Sequence, residues 1–211
     1  MSDSRHAGNL PLLGGQLCLD FANTVDWRLG DDQHDWLSSY GDLVAWSRHT
    51  GILSWAQAGR LIKEAEASPA AGAAVLRQAL ALRELIYRVF SLIAHGHVPT
   101  NSDIEELNHT LSRSLARMRL VSTHDSFEWG WAEDGTRLER PLWHVVQSAA
   151  ALLTAGKLDR VRQCADGLCG WLFFDMSKNR SRRWCSMEDC GNRAKARRHY
   201  EKTRALRKQR E

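Results

Sequence analysis

The sequence predicts a mainly α-helical chain: a helical N-terminal domain with one small β-hairpin, then a C-terminal four-cysteine module made of a short hairpin and a basic helix. Three observations carry this. Val75, Ala79, Leu82, Ile86, Val89 and Ile93 recur at alternating spacings of four and three, the apolar stripe of a long amphipathic helix. Phe127, Trp129 and Trp131 alternate with polar or small residues, the period of a strand. Cys164, Cys169, Cys185 and Cys190 fall within 27 residues, whereas Cys18 stands alone.

The elements follow in order. Tyr40, Leu43, Val44 and Trp46 outline a short helix, and Ser54 caps a second that runs through Leu61 and Ile62. The long striped helix stops near residues 96–99, where Gly96 and Pro99 interrupt it. Ser102 and Glu105 then read as a capping box for a helix with Ile104, Leu107, Leu111, Leu115 and Met118 inward. The short connection predicts antiparallel packing of these two helices. Asp134-Gly135 supplies a turn between the Phe127–Trp131 strand and Arg137-Leu138, which gives the hairpin. Pro141 opens a helix carrying Leu142, Val145, Val146, Ala149, Leu152 and Leu153. Ala155-Gly156 marks the boundary, so residues 1–156 form the body and 157–211 the cysteine module.

Composition limits the function classes. At 211 residues, 43% hydrophobic and 26% charged, the chain has the make-up of a soluble globular protein with room for a core. No run approaches the ~18 uncharged apolar residues of a membrane span. The opening stretch, with Asp3, Arg5 and Asn9, lacks the apolar segment of a secretory signal, and the expectation is a cytoplasmic protein. Charge is divided unevenly: residues 157–211 carry a net +9 and the rest a net −5 within a total of +4. A basic module therefore follows a mildly acidic body.

The cysteines read Cys-x4-Cys, fifteen residues, Cys-x4-Cys. Two loops of this kind present four soft thiolates to one ion, and zinc suits a closed tetrahedron of four sulfurs, which leaves no vacancy for a reacting water. The expected cofactor is one structural Zn2+ held by Cys164, Cys169, Cys185 and Cys190; an iron–sulfur cluster, redox cysteines and a chance grouping are the alternatives. Between the pairs, Trp171, Phe173 and Phe174 give a small apolar surface and Arg182-Arg183-Trp184 a return strand. So small a finger needs its metal to fold.

After Cys190 the chain runs from Gly191 to Arg210 with no Pro and no further Gly, at a net +7 over residues 193–211. Arg193, Arg197, Arg204 and Lys208 share one side of this helix, flanked by Lys195 and Arg198. With Arg182 and Arg183 they are the expected DNA-binding residues, suited to tracking phosphates or entering a major groove; a merely solvated helix is the bland alternative.

The run from Cys164 to Cys169, Trp171-Leu172-Phe173-Phe174-Asp175, Arg182-Arg183-Trp184-Cys185-Ser186-Met187 and Cys190-Gly191-Asn192-Arg193-Ala194-Lys195 resembles the CGNR zinc finger. The segment Gly14-Gly15-Gln16-Leu17-Cys18-Leu19-Asp20-Phe21-Ala22-Asn23-Thr24-Val25 resembles the opening of the ABATE domain, which precedes that finger in bacterial proteins. Together they cover nearly the whole chain. The resemblance implies a stress-induced transcription regulator.

In the body, polar Asp20, Asn23, Thr24, Asp26 and Arg28 alternate with apolar Leu19, Phe21, Val25 and Trp27. Buried polar groups must find partners, and two readings account for them. They cap and turn the chain, or Asn23, Thr24 and Arg28 line a pocket walled by Trp27 and Trp46 and reached by Arg83, which holds a small polar or anionic effector. Catalysis has little support: His95 and His97 lie in a loop without metal-ligand spacing, and Cys18 reads as a small buried hydrophobe. The reading is a DNA-binding regulator, not an enzyme, with a homodimer expected from two-fold DNA sites. A small-molecule enzyme with a structural finger and a protein-interaction module are the rivals.

Overall fold

The computed structural model describes residues 4–131 and 137–208, with side chains to residue 204. The described residues contain seven α-helices and three two-stranded antiparallel sheets, joined by loops and short helical turns. The helices are α1 (Leu17–Ala22), α2 (Tyr40–His49), α3 (Trp55–Ala67), α4 (Pro69–Ala94), α5 (Asn101–Leu115), α6 (Arg140–Thr154) and α7 (Asn192–Lys208). The hairpins pair β1 (Val25–Asp26) with β2 (His34–Asp35), β3 (Met118–Ser122) with β4 (Phe127–Trp131), and β5 (Val161–Gln163) with β6 (Leu172–Phe174). None of the described helices is long and apolar enough to cross a membrane.

Helix α4 is the axis of the body. Its stripe Val75, Ala79, Leu82, Ile86 and Val89 is buried, and α1, α2, α3, α5, α6, β5 and β6 all pack on it. Pro69 sits in its first turn, where the missing N–H costs nothing. Helix α2 is closed by the Ser39–Asp42 capping box and α3 by Ser54–Gln57. Trp46, fully buried, tilts against Phe21 of α1 with ring centroids 5.1 Å apart, so that α1 is the plug at the centre of the core. Asp20, on α1, accepts the Gly14 N–H at 2.7 Å, and burial pushes its carboxyl up to about 6.

Two expectations are corrected here. The cap of α5 is the box Thr100–Asp103 rather than Ser102–Glu105. Asp103 is the better N3 residue because it also takes Arg88 Nε from α4 at 2.6 Å. Strand β4 is where the alternation puts it, but its partner precedes it: Leu120 faces Trp129 and Met118 faces Trp131. Met118 thus belongs to a strand and not to the preceding helix, and the hairpin turns at residues 123–126, where Thr123 and Ser126 hydrogen-bond. Asp134-Gly135 lies outside the described residues.

The finger shares the body's core. Along β6 the side chains alternate: Leu172 and Phe174 belong with the body's apolar cluster, and Phe173 with the cysteines. Val161 of β5 is likewise buried in the body. The finger hairpin is therefore a sheet with one face in each core.

Candidate metal centre and nucleic-acid interface

Two knuckles carry the sulfurs. Cys164 leaves β5, and Cys169 closes a turn in which its N–H bonds the Asp166 carbonyl at 3.0 Å. Cys185 follows Arg182-Arg183-Trp184, which is not the expected return strand, since β6 pairs with β5 earlier in the chain, and Cys190 lies in a tight helical turn (Met187–Gly191) capped by Ser186. The four Sγ atoms lie within 4.8 Å of one another, with Cys169–Cys185 at 3.6 Å and Cys185–Cys190 at 3.5 Å. A tetrahedron with Zn–S bonds of about 2.3 Å has edges of roughly 3.8 Å, so the sulfurs are already at zinc-binding separation. All four cysteines are buried and none is in a disulfide. The neighbouring sulfurs, Cys164 first, push the Cys169 and Cys185 thiols up; a set of four thiolates this tight calls for a cation among them. The group can hold one zinc ion with four buried protein ligands.

The fold also supplies donors to the sulfurs. Cys185 N–H points to Cys164 Sγ at 3.4 Å, and Arg193 Nη2 lies 2.9 Å from Cys190 Sγ. These offset part of the formal −2 of a zinc tetrathiolate.

Asp166 holds the basic helix to this platform. It lies between the first two cysteines, its side chain is 1% exposed, and it accepts Arg193 Nε at 2.9 Å and Arg197 Nη2 at 2.7 Å. Burial works against its charge, but the hydrogen bonds from Arg197 and Arg193 outweigh it and hold the carboxyl below its ordinary range. Sequence reasoning passes over Asp166; the available signal is an acid placed inside a cysteine knuckle of an otherwise basic module.

The expected DNA-binding residues divide into two sets. Arg193 and Arg197 brace α7 on Asp166. Arg182 is inward too: it donates to the Trp184 and Cys185 carbonyls and stacks over Phe173 at 4.4 Å. Arg183 is exposed beside the Trp184 ring. Lys195 and Arg198 are exposed on the other side of α7, and so is Lys202, which was not among the expected residues. At about 100° per residue, Lys195, Arg198 and Lys202 sit roughly 140–200° round the helix from Arg193. Arg204 is exposed on the Arg193 side, farther out, and the Lys208 side chain lies outside the described residues.

The six expected pocket residues do not converge on one cavity. Asn23, 3% exposed, clamps the finger: its Nδ2 donates to the Leu172 carbonyl and its Oδ1 accepts the Leu172 N–H, both at 2.8 Å. Thr24 donates to the Phe21 carbonyl, and Trp46 is sealed in the core. Arg28 donates to Ala22 O and Glu84 and stacks on Tyr87 at 4.1 Å. Arg83 is buried and fully engaged, paired through two nitrogens with Asp35 at 2.7 Å and with Glu84 at 2.9 Å. The polar groups of Asn23, Thr24, Arg28 and Arg83 are consumed in turning the chain, in ion pairs within the body and in joining body to finger, while the buried Trp46 Nε1 has no hydrogen-bond partner among the described residues.

The sixth, Trp27, lies at that junction in a left-handed conformation, φ 56°, uncommon for a bulky side chain. This turn lets Arg28 N–H reach Cys169 O at 3.1 Å and Leu29 N–H reach Leu168 O at 3.2 Å, while the indole lies 4.6 Å under Arg193. Gly170 accepts the loop because a Cβ there would sit 2.9 Å from Leu29 and 3.0 Å from Arg28, at φ +72°. At the junction a crevice of about 110 Å³ opens onto the metal site itself: Cys169, Cys185 and Cys190 line it together with Asp26, Trp27 and Arg193.

Comparison with known families places this geometry. Residues 15–156 match the ABATE family, described as "Putative stress-induced transcription regulator". Residues 160–203 match the CGNR zinc finger. No curated protein matches the chain.

Proposed function

The chain belongs to the ABATE family and carries a CGNR zinc finger, and from that premise we propose that it is a cytoplasmic, non-enzymatic, zinc-dependent DNA-binding transcription regulator. The observation that carries this reading is the exposed row Lys195, Arg198 and Lys202 on the side of α7 turned away from Asp166. A fold that needed cations only to balance the zinc thiolates would use Arg193 and Arg197 and stop there. The second row has no such duty, and a rigid, basic helix on a metal-braced base fits the phosphates of a duplex. Zinc, when bound, supplies the fixed base and no chemistry of its own.

The body's part is to sense. A small polar effector entering the crevice at Trp27 would meet that indole, the Arg193 guanidinium and the Cys169, Cys185 and Cys190 wall of the metal site together, and so bias how α7 is held. The family's description supports a role in stress responses.

Fluorescence anisotropy of zinc-loaded protein on duplex DNA over a salt series tests the reading. Steep salt dependence is expected. Replacing Lys195, Arg198 and Lys202 by Ala should flatten the log–log slope by about 2 to 3, near 0.9 for each phosphate no longer neutralised. Absence of binding at low salt, or an unchanged slope in the triple variant, would refute it.

A further inference from the structure

The β3–β4 hairpin is built with one side unfinished. Its register places Met118, Leu120 and Ser122 opposite Trp131, Trp129 and Phe127, so all six share one face of the two-stranded sheet. The inner end of this stripe is fixed to the body. Trp131 Nε1 donates to His144 Nε2 at 2.7 Å, its ring tilts on Trp143 at 5.5 Å, and Gln147 reaches Met118 Sδ. The outer end is bare: Leu120 is 66%, Phe127 75% and Trp129 68% exposed. Arg119, Val121 and Glu128 alternate onto the opposite face, which carries two charges and one exposed valine, so the more apolar face of the hairpin is the one bare in water.

Such an arm is poorly stable by itself, since an isolated two-stranded hairpin is marginal in water until a hydrophobic face is covered. We infer that the apolar face of β3–β4 is covered by the same face of a second copy of this chain, giving a two-fold dimer. Area argues for this occupant. An aromatic side chain carries roughly 150–250 Å², so Phe127, Trp129 and Leu120 at these exposures offer about 400 Å² per copy. A standard interface covers about 800 Å² per partner with some 60% apolar, or about 480 Å² of apolar surface, close to what the stripe provides.

Geometry agrees with the area. A two-fold interface needs a patch that complements itself. Two flat stripes of one large aliphatic and two aromatic side chains satisfy that by stacking about 10 Å apart, as the inner faces of a small sandwich do. Both copies keep Arg119 and Glu128 outward, where the charges oppose further stacking. The inference does not depend on the finger's function.

Sedimentation velocity of the full-length, zinc-loaded chain from about 1 to 200 μM tests it, a span suited to interfaces of this size. The wild type should shift from 23.9 kDa toward twice that mass. Phe127→Ser with Trp129→Ser, and separately Leu120→Lys, should remain monomeric, an affinity loss of at least about 100-fold, with unchanged helical content, and with unchanged melting at concentrations where the wild type is itself monomeric. A wild type that stays monomeric to the top of the range would overturn the inference and leave the face to a different protein. A dimer that survives in both folded variants would overturn it as well, by placing the interface elsewhere.

Discussion

Asp166→Asn should loosen the whole C-terminal module although it removes only a charge. The carboxylate takes one hydrogen bond from each of two guanidinium groups, and its own side chain is 1% exposed. An amide of the same shape can accept from one arginine but turns N–H donors toward the other. One charge-assisted bond is lost and the second weakened, about 1.5–3 kcal/mol for groups shielded from water. Arg193 and Arg197 are 42% and 45% exposed, so water recovers part of their hydration and the lower half of that range, about 1.5–2 kcal/mol, applies. For a chain of this size that lowers the melting temperature by about 3–8 °C. A second readout separates this from general damage. Arg193 also donates to Cys190 Sγ, so zinc transfer to a chelator should quicken in the variant. Melting within about 1 °C of wild type, together with an unchanged rate of zinc release, would refute the claim that Asp166 ties α7 to the metal platform.

Three further outcomes are expected. Asn23→Ala leaves the Leu172 N–H and carbonyl without partners in a buried position, which should cost about 2–5 kcal/mol in chemical denaturation; a cost under about 0.5 kcal/mol would mean the clamp is not what joins finger to body. Asp20 has a folded pKa of about 6, above its ordinary value of 3.8, so the folded state holds the extra proton and stability falls as pH rises from about 4 through 6, by up to about 2–3 kcal/mol. Asp20→Asn keeps an acceptor for Gly14 N–H and should remove that slope, so that its gain over wild type grows between about pH 5 and 7.5; parallel curves would contradict this. Cys185→Ser should abolish stoichiometric zinc by elemental analysis and melt α7 by circular dichroism, while the core helices survive because Val161 and Leu172 are held by the body; retention of one zinc per chain would remove Cys185 from the ligand set.

What is legible in the sequence is what local periodicity and spacing encode. The α4 stripe, the Ser54 cap and the cysteine spacing all report on residues within a turn or a loop of each other, and each appears in the fold. The start of α5 is ambiguous by two residues because Ser102–Glu105 and Thr100–Asp103 have the same local form; the ion pair with Arg88, on another helix, makes Asp103 the cap residue. Strand β4 is visible in its alternation, yet its partner is not, since a strand's pattern does not say on which side the neighbour lies. The polar run at Asn23, Thr24 and Arg28 needs partners, as polarity in an apolar segment requires, but those partners are 149 residues away for Asn23 and 56 for Glu84 against Arg28. Asp166 is silent for the same reason: its role exists only once α7 returns past the first knuckle.

The Asn23 clamp also sets a timetable. Asn23 with Leu172, and Gly14 with Phe174 through a 2.8 Å backbone bond, join the segment around α1 to one made 149 residues later than Asn23. At about 5–20 residues per second, α1 waits on the order of 7 to 30 s on the ribosome for β6, with the polar atoms of Asn23 open to water and its apolar neighbours uncovered. The segment around Asn23 is thus seated well after it is made. The module that takes up the metal is also the one that closes the body, so zinc supply and completion of the core fall at the same moment in the life of the chain.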